Sequence, residues 1–140
     1  MDAIVTADVP PGYTPFVPAS PFMSVMGPLY QRPGQDNATV LALRVSSIHT
    51  NMHGIAHGGM LATLADNALG FNVSGAGQHP IVTVHMSLDF LAPAHAGDWL
   101  EAHVSVQKRG GKLSFAECRL MVDGCCILKA SGVFSARKRP

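Results

Sequence analysis

The chain has 140 residues, 47% of them hydrophobic and 14% charged, with ten Lys and Arg against nine Asp and Glu for a net charge of +1. That length suits one domain burying about two thirds of its surface, and the near-neutral balance excludes a nucleic-acid binder of the usual basic kind. So apolar a composition in a small protein implies that another subunit covers part of the surface.

Cysteine usage narrows the setting. Cys118, Cys125 and Cys126 are an odd count, two of them adjacent. No disulfide framework follows from such a set, and reduced thiols in the cytoplasm are its natural reading. On a strand Cys125 and Cys126 point to opposite sides, so they make a poor metal pair. The start, Met1-Asp2-Ala3-Ile4, carries neither a basic region nor a long apolar run, so neither a signal peptide nor a membrane span is expected.

Residues 1–34 read as a proline-rich arm, because Pro10, Pro11, Pro15, Pro18 and Pro21 are too many for a regular helix or a central strand. Within the arm, Ser20-Pro21 can open one short helix over Phe22–Met26, with serine as cap and proline in the first turn; Gly27-Pro28 ends it. The main domain spans 35–140. Its first long strand is Thr39 to Ser46, rich in branched apolar residues, with a short strand around Leu29–Gln31 ahead of it.

Next comes the stretch around which the chain is organised, Asn51-Met52-His53-Gly54-Ile55-Ala56-His57-Gly58-Gly59 running into Met60 to Ala68. Gly58-Gly59 leaves backbone N–H groups bare where a helix begins, and such groups lack intrahelical partners. They serve either as a hinge before a buried helix or as a cradle for an anion or an oxygen that becomes negative during a reaction. At about 100° per residue, Phe71, Leu64, Ala68, Leu61, Ala65, Leu69, Ala62 and Val73 cover a broad apolar face, while Thr63, Asn67, Gly70 and Ser74 form a narrow polar or small strip. Asp66 falls at the border between the two. There it is either part of a solvated face or a half-buried carboxylate fit to act as base or nucleophile.

Gly75-Ala76-Gly77 stops the helix. After Pro80 the pattern turns to period two, with Val82, Val84, Met86, Leu88 and Phe90 on one side and Thr83, His85, Ser87 and Asp89 on the other. Trp99 to Lys108, Leu113 to Val122 and Cys125 to Ala136 read as three further strands, with hairpin turns at Arg109-Gly110-Gly111-Lys112 and Asp123-Gly124. The expected class is therefore α+β, one long helix laid on an antiparallel sheet of five to six strands.

This element order, with Asn51-x-x-Gly54-x-x-His57-Gly58-Gly59 followed by Asp66, resembles the hotdog-fold thioesterases of the 4-hydroxybenzoyl-CoA superfamily, particularly the phenylacetate-pathway (PaaI-like) acyl-CoA thioesterases. The resemblance runs from about residue 35 to 136. It implies a central helix wrapped by the sheet, a homodimer or homotetramer with sites at the interface, and hydrolysis of an acyl-CoA without a metal or redox cofactor. Asp66 then matches the carboxylate that attacks the thioester or activates water, and the N–H of Gly58 matches the oxyanion donor. Asn51 matches a side chain that hydrogen-bonds the thioester region or the water, positioned by the turn at Gly54.

His57 stands where the family usually has histidine; its alternative role is to fix the loop through its ring nitrogens. Thr83 matches a hydroxyl that orients water from the opposite subunit, although a polar strand face is ordinarily just solvated. Gly59 belongs to the same substrate-facing loop. Lys108, Arg109 and Lys112 around Gly110-Gly111 are the counterparts for coenzyme A phosphates, with the tail Arg137-Lys138-Arg139 as a second candidate; the plainer reading is a hairpin turn with solvated charges.

His49, His53 and His57 recur every four residues, but Gly54, Gly58 and Gly59 break the continuous helix that would align them as metal ligands. Neither Gly-x-Ser-x-Gly nor Gly-x-Gly-x-x-Gly occurs, so neither a serine nucleophile nor a dinucleotide is indicated. Two alternatives remain open: a hotdog lyase that hydrates or dehydrates an acyl thioester, and a non-catalytic acyl-CoA-binding protein.

Overall fold

A computed structural model describes residues 8–137; residues 1–7, read above for a leader, and Lys138-Arg139-Pro140 of the basic tail lie outside them. The long helix, α2, spans Gly58–Val73. Alanine and leucine, the strongest helix formers, fill its interior. Leu61, Leu64, Ala65, Ala68 and Leu69, spaced by threes and fours, are buried against the sheet. Asn72 on the same side is also buried: its carboxamide accepts from Thr39 N–H at 2.8 Å and donates to Thr39 O at 3.0 Å and Ala68 O at 2.8 Å. A polar side chain buried there is satisfied completely, and it ties the helix to the start of a strand.

Strands β1 (Thr14–Phe16), β2 (Leu29–Pro33), β3 (Thr39–Arg44), β4 (Ile81–Phe90), β5 (Trp99–Arg109), β6 (Leu113–Val122) and β7 (Cys125–Ala136) form one antiparallel sheet in the order β1-β2-β3-β5-β6-β7-β4. The hairpins β5–β6 and β6–β7 stand where the turn residues put them. By contrast, β4 does not pair with β5, its neighbour in sequence; it crosses the molecule to pair with β7 and becomes an edge strand. The connection between them passes in front of α2, where Ala94 O accepts from Ala56 N–H at 2.7 Å.

The sheet has seven strands, one more than the expected maximum, because the proline-rich segment also contributes β1. The short helix α1 (Pro21–Ser24) forms where serine and proline indicate, with Ser20 Oγ accepting from Met23 N–H. Met23, Met26 and Leu29 join the core, and Phe16 meets Phe71 of α2 edge-on at 5.0 Å. On the outer face of the sheet Tyr13 packs edge-on against Trp99 at 5.1 Å and donates its hydroxyl proton to the Glu101 carboxylate.

Burial pushes the Glu101 carboxyl up, but hydrogen bonds from Tyr13 and His103 outweigh it and hold the group below the ordinary carboxylate value. Tyr13→Phe should therefore lower the urea midpoint at neutral pH by the equivalent of about 1 kcal/mol. A depressed carboxyl stabilises above its unfolded value of about 4.3 and loses that contribution as pH falls through the lower folded value. Urea curves of the two proteins should accordingly converge in acid.

One register detail corrects the period-two reading of β4. A bulge between Thr83 and His85 shifts the pairing with β7, so that Thr83 opposes Phe134 and Met86 opposes Gly132. The extra residue switches the alternation. Thr83 therefore faces the helix with Ile81, Met86, Leu88 and Phe90, whereas Val82 is turned outward and half-exposed. The expected polar row of Thr83, His85, Ser87 and Asp89 does not exist as one face.

Candidate functional site

The loop ahead of α2 is built from its own polar groups. Gly54 adopts φ +75°, a conformation open to glycine without strain. This closes a turn in which Asn51 Oδ1 accepts from His53 N–H at 2.9 Å and Asn51 N–H donates to Ile55 O at 2.8 Å. The oxygen of the Asn51 carboxamide is thus engaged by the loop, which fixes the side chain and leaves its NH₂ to donate elsewhere. Behind the loop lies His49, a buried residue that the sequence suggested only as part of a histidine repeat. Its Nδ1 accepts from Ser46 N–H at 3.0 Å, its Nε2 meets Met26 O at 2.7 Å, and its backbone oxygen accepts from His57 N–H at 2.8 Å.

His57 caps the helix: its Nδ1 accepts from Gly59 N–H at 2.9 Å. That bond requires the neutral ring with its proton on Nε2. Met60 N–H and Leu61 N–H both reach His57 O, at 2.9 and 3.1 Å. Every N–H at this helix start is thereby engaged except one. Among the described residues Gly58 N–H meets no acceptor, and it stands at the positive end of the helix dipole. His57→Ala removes a cap and should destabilise the protein by about 1 kcal/mol, measured by urea unfolding.

Two turns along α2, half-buried Asp66 accepts through Oδ1 a hydrogen bond from Thr83 Oγ1 at 2.8 Å. The bulge in β4 makes this contact, because without it the threonine would stand on the other face. At 1.5 Å rise per residue, Gly58 and Asp66 lie about 12 Å apart along the helix. Lys108, Gly110, Gly111 and Lys112 sit on the β5–β6 hairpin beside the far end of α2. There the Arg109 guanidinium donates to Val73 O at 2.7 Å and Asn72 O at 3.2 Å, satisfying the last carbonyls of the helix. Gly110 has a structural reason for lacking a side chain: a Cβ there would stand 2.2 Å from Leu113 O. Lys108 and Arg109 line a cleft of about 500 Å³ with Gln35, Asp36 and Asn37.

The family model described as the thioesterase superfamily matches residues 53–125. The chain is 41% identical over 129 residues to "Putative esterase PA0474" of Pseudomonas aeruginosa, covering 91% of this chain and 96% of that one. The chain belongs to the thioesterase superfamily.

Human acyl-coenzyme A thioesterase 13 is 32% identical over 115 residues, covering 79% of this chain and 80% of that protein. A mutant structure of the phenylacetic acid degradation protein PaaI from Thermus thermophilus superposes with a TM-score of 0.74 at 26% identity, covering 84% of this chain and all of that one (100%). As a member of the superfamily the protein is a thioester hydrolase with the hotdog fold, and α2 is the helix that its sheet wraps. No group of three or more His, Cys, Asp or Glu among the described residues is placed to hold a metal ion. His49 and His57 are engaged in the loop, as above, and His53 is exposed. No helix among the described residues is long and apolar enough to cross a membrane.

Proposed function

We propose that this thioesterase hydrolyses an acyl-CoA to a carboxylic acid and free CoA, with Gly58 N–H as oxyanion donor and Asp66 as base or nucleophile. The observation that carries this reading is that one helix offers both an unclaimed N–H at its positive end and a half-buried carboxylate held by a hydroxyl. The thioester oxygen accepts from Gly58 N–H, which strengthens as negative charge develops on it. Either water loses a proton to the Asp66 carboxylate and attacks the carbonyl carbon, or the carboxylate attacks and water cleaves the resulting anhydride; both routes release the CoA thiol. Thr83 orients the carboxylate, and the Asn51 NH₂ donates to the thioester or the water.

A carbonyl held on Gly58 N–H lies too far from Asp66 of the same helix, given their separation of about 12 Å. The site is therefore completed by a second copy of the chain, one supplying the donor and the other the carboxylate. The unpaired edge of β4, where Val82 and Val84 are exposed, is the surface through which the two sheets join. Lys108 and Lys112 provide ammonium groups for the CoA phosphates; Arg109 contributes less, since helix carbonyls hold its guanidinium. Three free cysteines, Cys125 among them exposed, suit the reducing cytoplasm.

Thiol release from acetyl-, octanoyl-, palmitoyl- and phenylacetyl-CoA tests this function. Steady release from at least one of them is expected. Release from none would favour a binding protein, and an enoyl or hydroxyacyl product in place of free thiol would make the chain a lyase.

A further inference from the structure

The inward row of β4 runs Met86, Leu88 and Phe90, and α2 covers only part of it. Met86 and Leu88 pack against the core, but the helix starts at Gly58, level with Phe90. Phe90 is consequently 54% exposed although it lies on the helix side of the sheet, and Leu91 beside it is equally exposed at 54%. Where a Cβ would stand on Gly58, Phe90 Cε2 lies 3.4 Å away and Cζ 3.6 Å. An uncovered phenyl ring thus stands within van der Waals reach of the residue whose N–H has no acceptor. A bare aromatic ring beside an unclaimed polar donor fits a ligand site, where apolar surface binds and one or two polar groups orient.

We infer that Phe90 is a specificity-determining residue whose ring forms a wall for the acyl group, so that the enzyme selects thioesters of bulky apolar acids over acetyl-CoA. The inference rests on the proposed hydrolysis, with the thioester oxygen on Gly58 N–H. An acyl chain leaving that carbonyl passes the open side of the ring and takes from water the surface that the chain itself leaves uncovered. An acetyl group is too short to cover it. Only a difference in apolar contact is involved, and such differences discriminate by roughly 10- to 200-fold per well-filled position.

The test is the ratio of kcat/KM for octanoyl-CoA and for phenylacetyl-CoA to that for acetyl-CoA, in wild type, Phe90→Ala and Phe90→Leu. Wild type should favour at least one bulky substrate, and Phe90→Ala should lower that ratio by about tenfold or more. Phe90→Leu should restore much of the octanoyl ratio, since a branched aliphatic side chain refills most of the wall. Because each ratio is taken within one preparation, partial loss of folded protein cancels. A ratio unchanged in Phe90→Ala, or a wild type that prefers acetyl-CoA, would overturn the assignment while leaving hydrolysis standing. Absence of turnover on every acyl-CoA would instead remove the hydrolysis reading and this inference with it.

Discussion

Replacing Asp66 by Asn is expected to lower kcat by at least about 10²-fold, the size of effect that general-base catalysis supplies. The substitution keeps the shape of the side chain and an oxygen that can accept from Thr83 Oγ1, which stands 2.8 Å away in the parent protein. Fold and oligomeric state should be unaltered by circular dichroism and light scattering, so the loss would report the missing charge. Thr83→Ala serves as the graded comparison: it removes an orienting hydroxyl and leaves the charge, and it should cost distinctly less. Near-normal turnover in Asp66→Asn would take the carboxylate out of the mechanism. Equal losses in the two variants would mean that orientation, and not charge, limits the rate.

The second large effect is expected at Gly58, where the donor is a backbone group and most substitutions leave it in place. Proline is the exception, because it removes the N–H while suiting the first position of a helix. His57 already has φ −64° and ψ 135°, the extended geometry that a following proline requires. Gly58→Pro should therefore keep α2 and lower kcat by about 10²–10³, the usual cost of one oxyanion donor. Gly58→Ala is the control: it retains the N–H, and its Cβ would meet the Phe90 ring at 3.4 Å, within contact distance. If the alanine variant loses as much as the proline variant, crowding explains the effect and the N–H does not.

Much of the fold could be read from residue order. The capped start at Ser20-Pro21, the bounds of β6 and β7, and the stop at Gly75 follow from local chemistry, in which a cap, a turn or an alternation involves residues a few positions apart. The face of Thr83 could not be read in this way, since a bulge is set by pairing with β7 some fifty positions later in the chain. Nor could β1 be seen to pair: Phe16 at its end packs on Phe71 and Tyr13 just ahead of it reaches Glu101, and no local pattern reports those partners. For the site, Gly58 and Asp66 stood out because the glycine pair and the lone carboxylate are conspicuous on one helix. Phe90 did not, because on an alternating strand it reads as one more core residue.

Residue order sets out the chemistry available: a helix start with bare N–H groups, one carboxylate two turns on, and an asparagine in a glycine-closed turn. These are short-range facts, decided by side-chain type and the 3.6-residue period. Folding then selects which of these groups are free to act. It gave Gly59 N–H to His57 and left Gly58 N–H unclaimed, turned Thr83 onto Asp66 through a bulge, sent β4 to the sheet edge, and began α2 where Phe90 stays bare. Apart from the bond between Gly59 and His57, which are two positions apart, these outcomes are competitions for partners among residues far apart in the chain, and only packing settles such a competition.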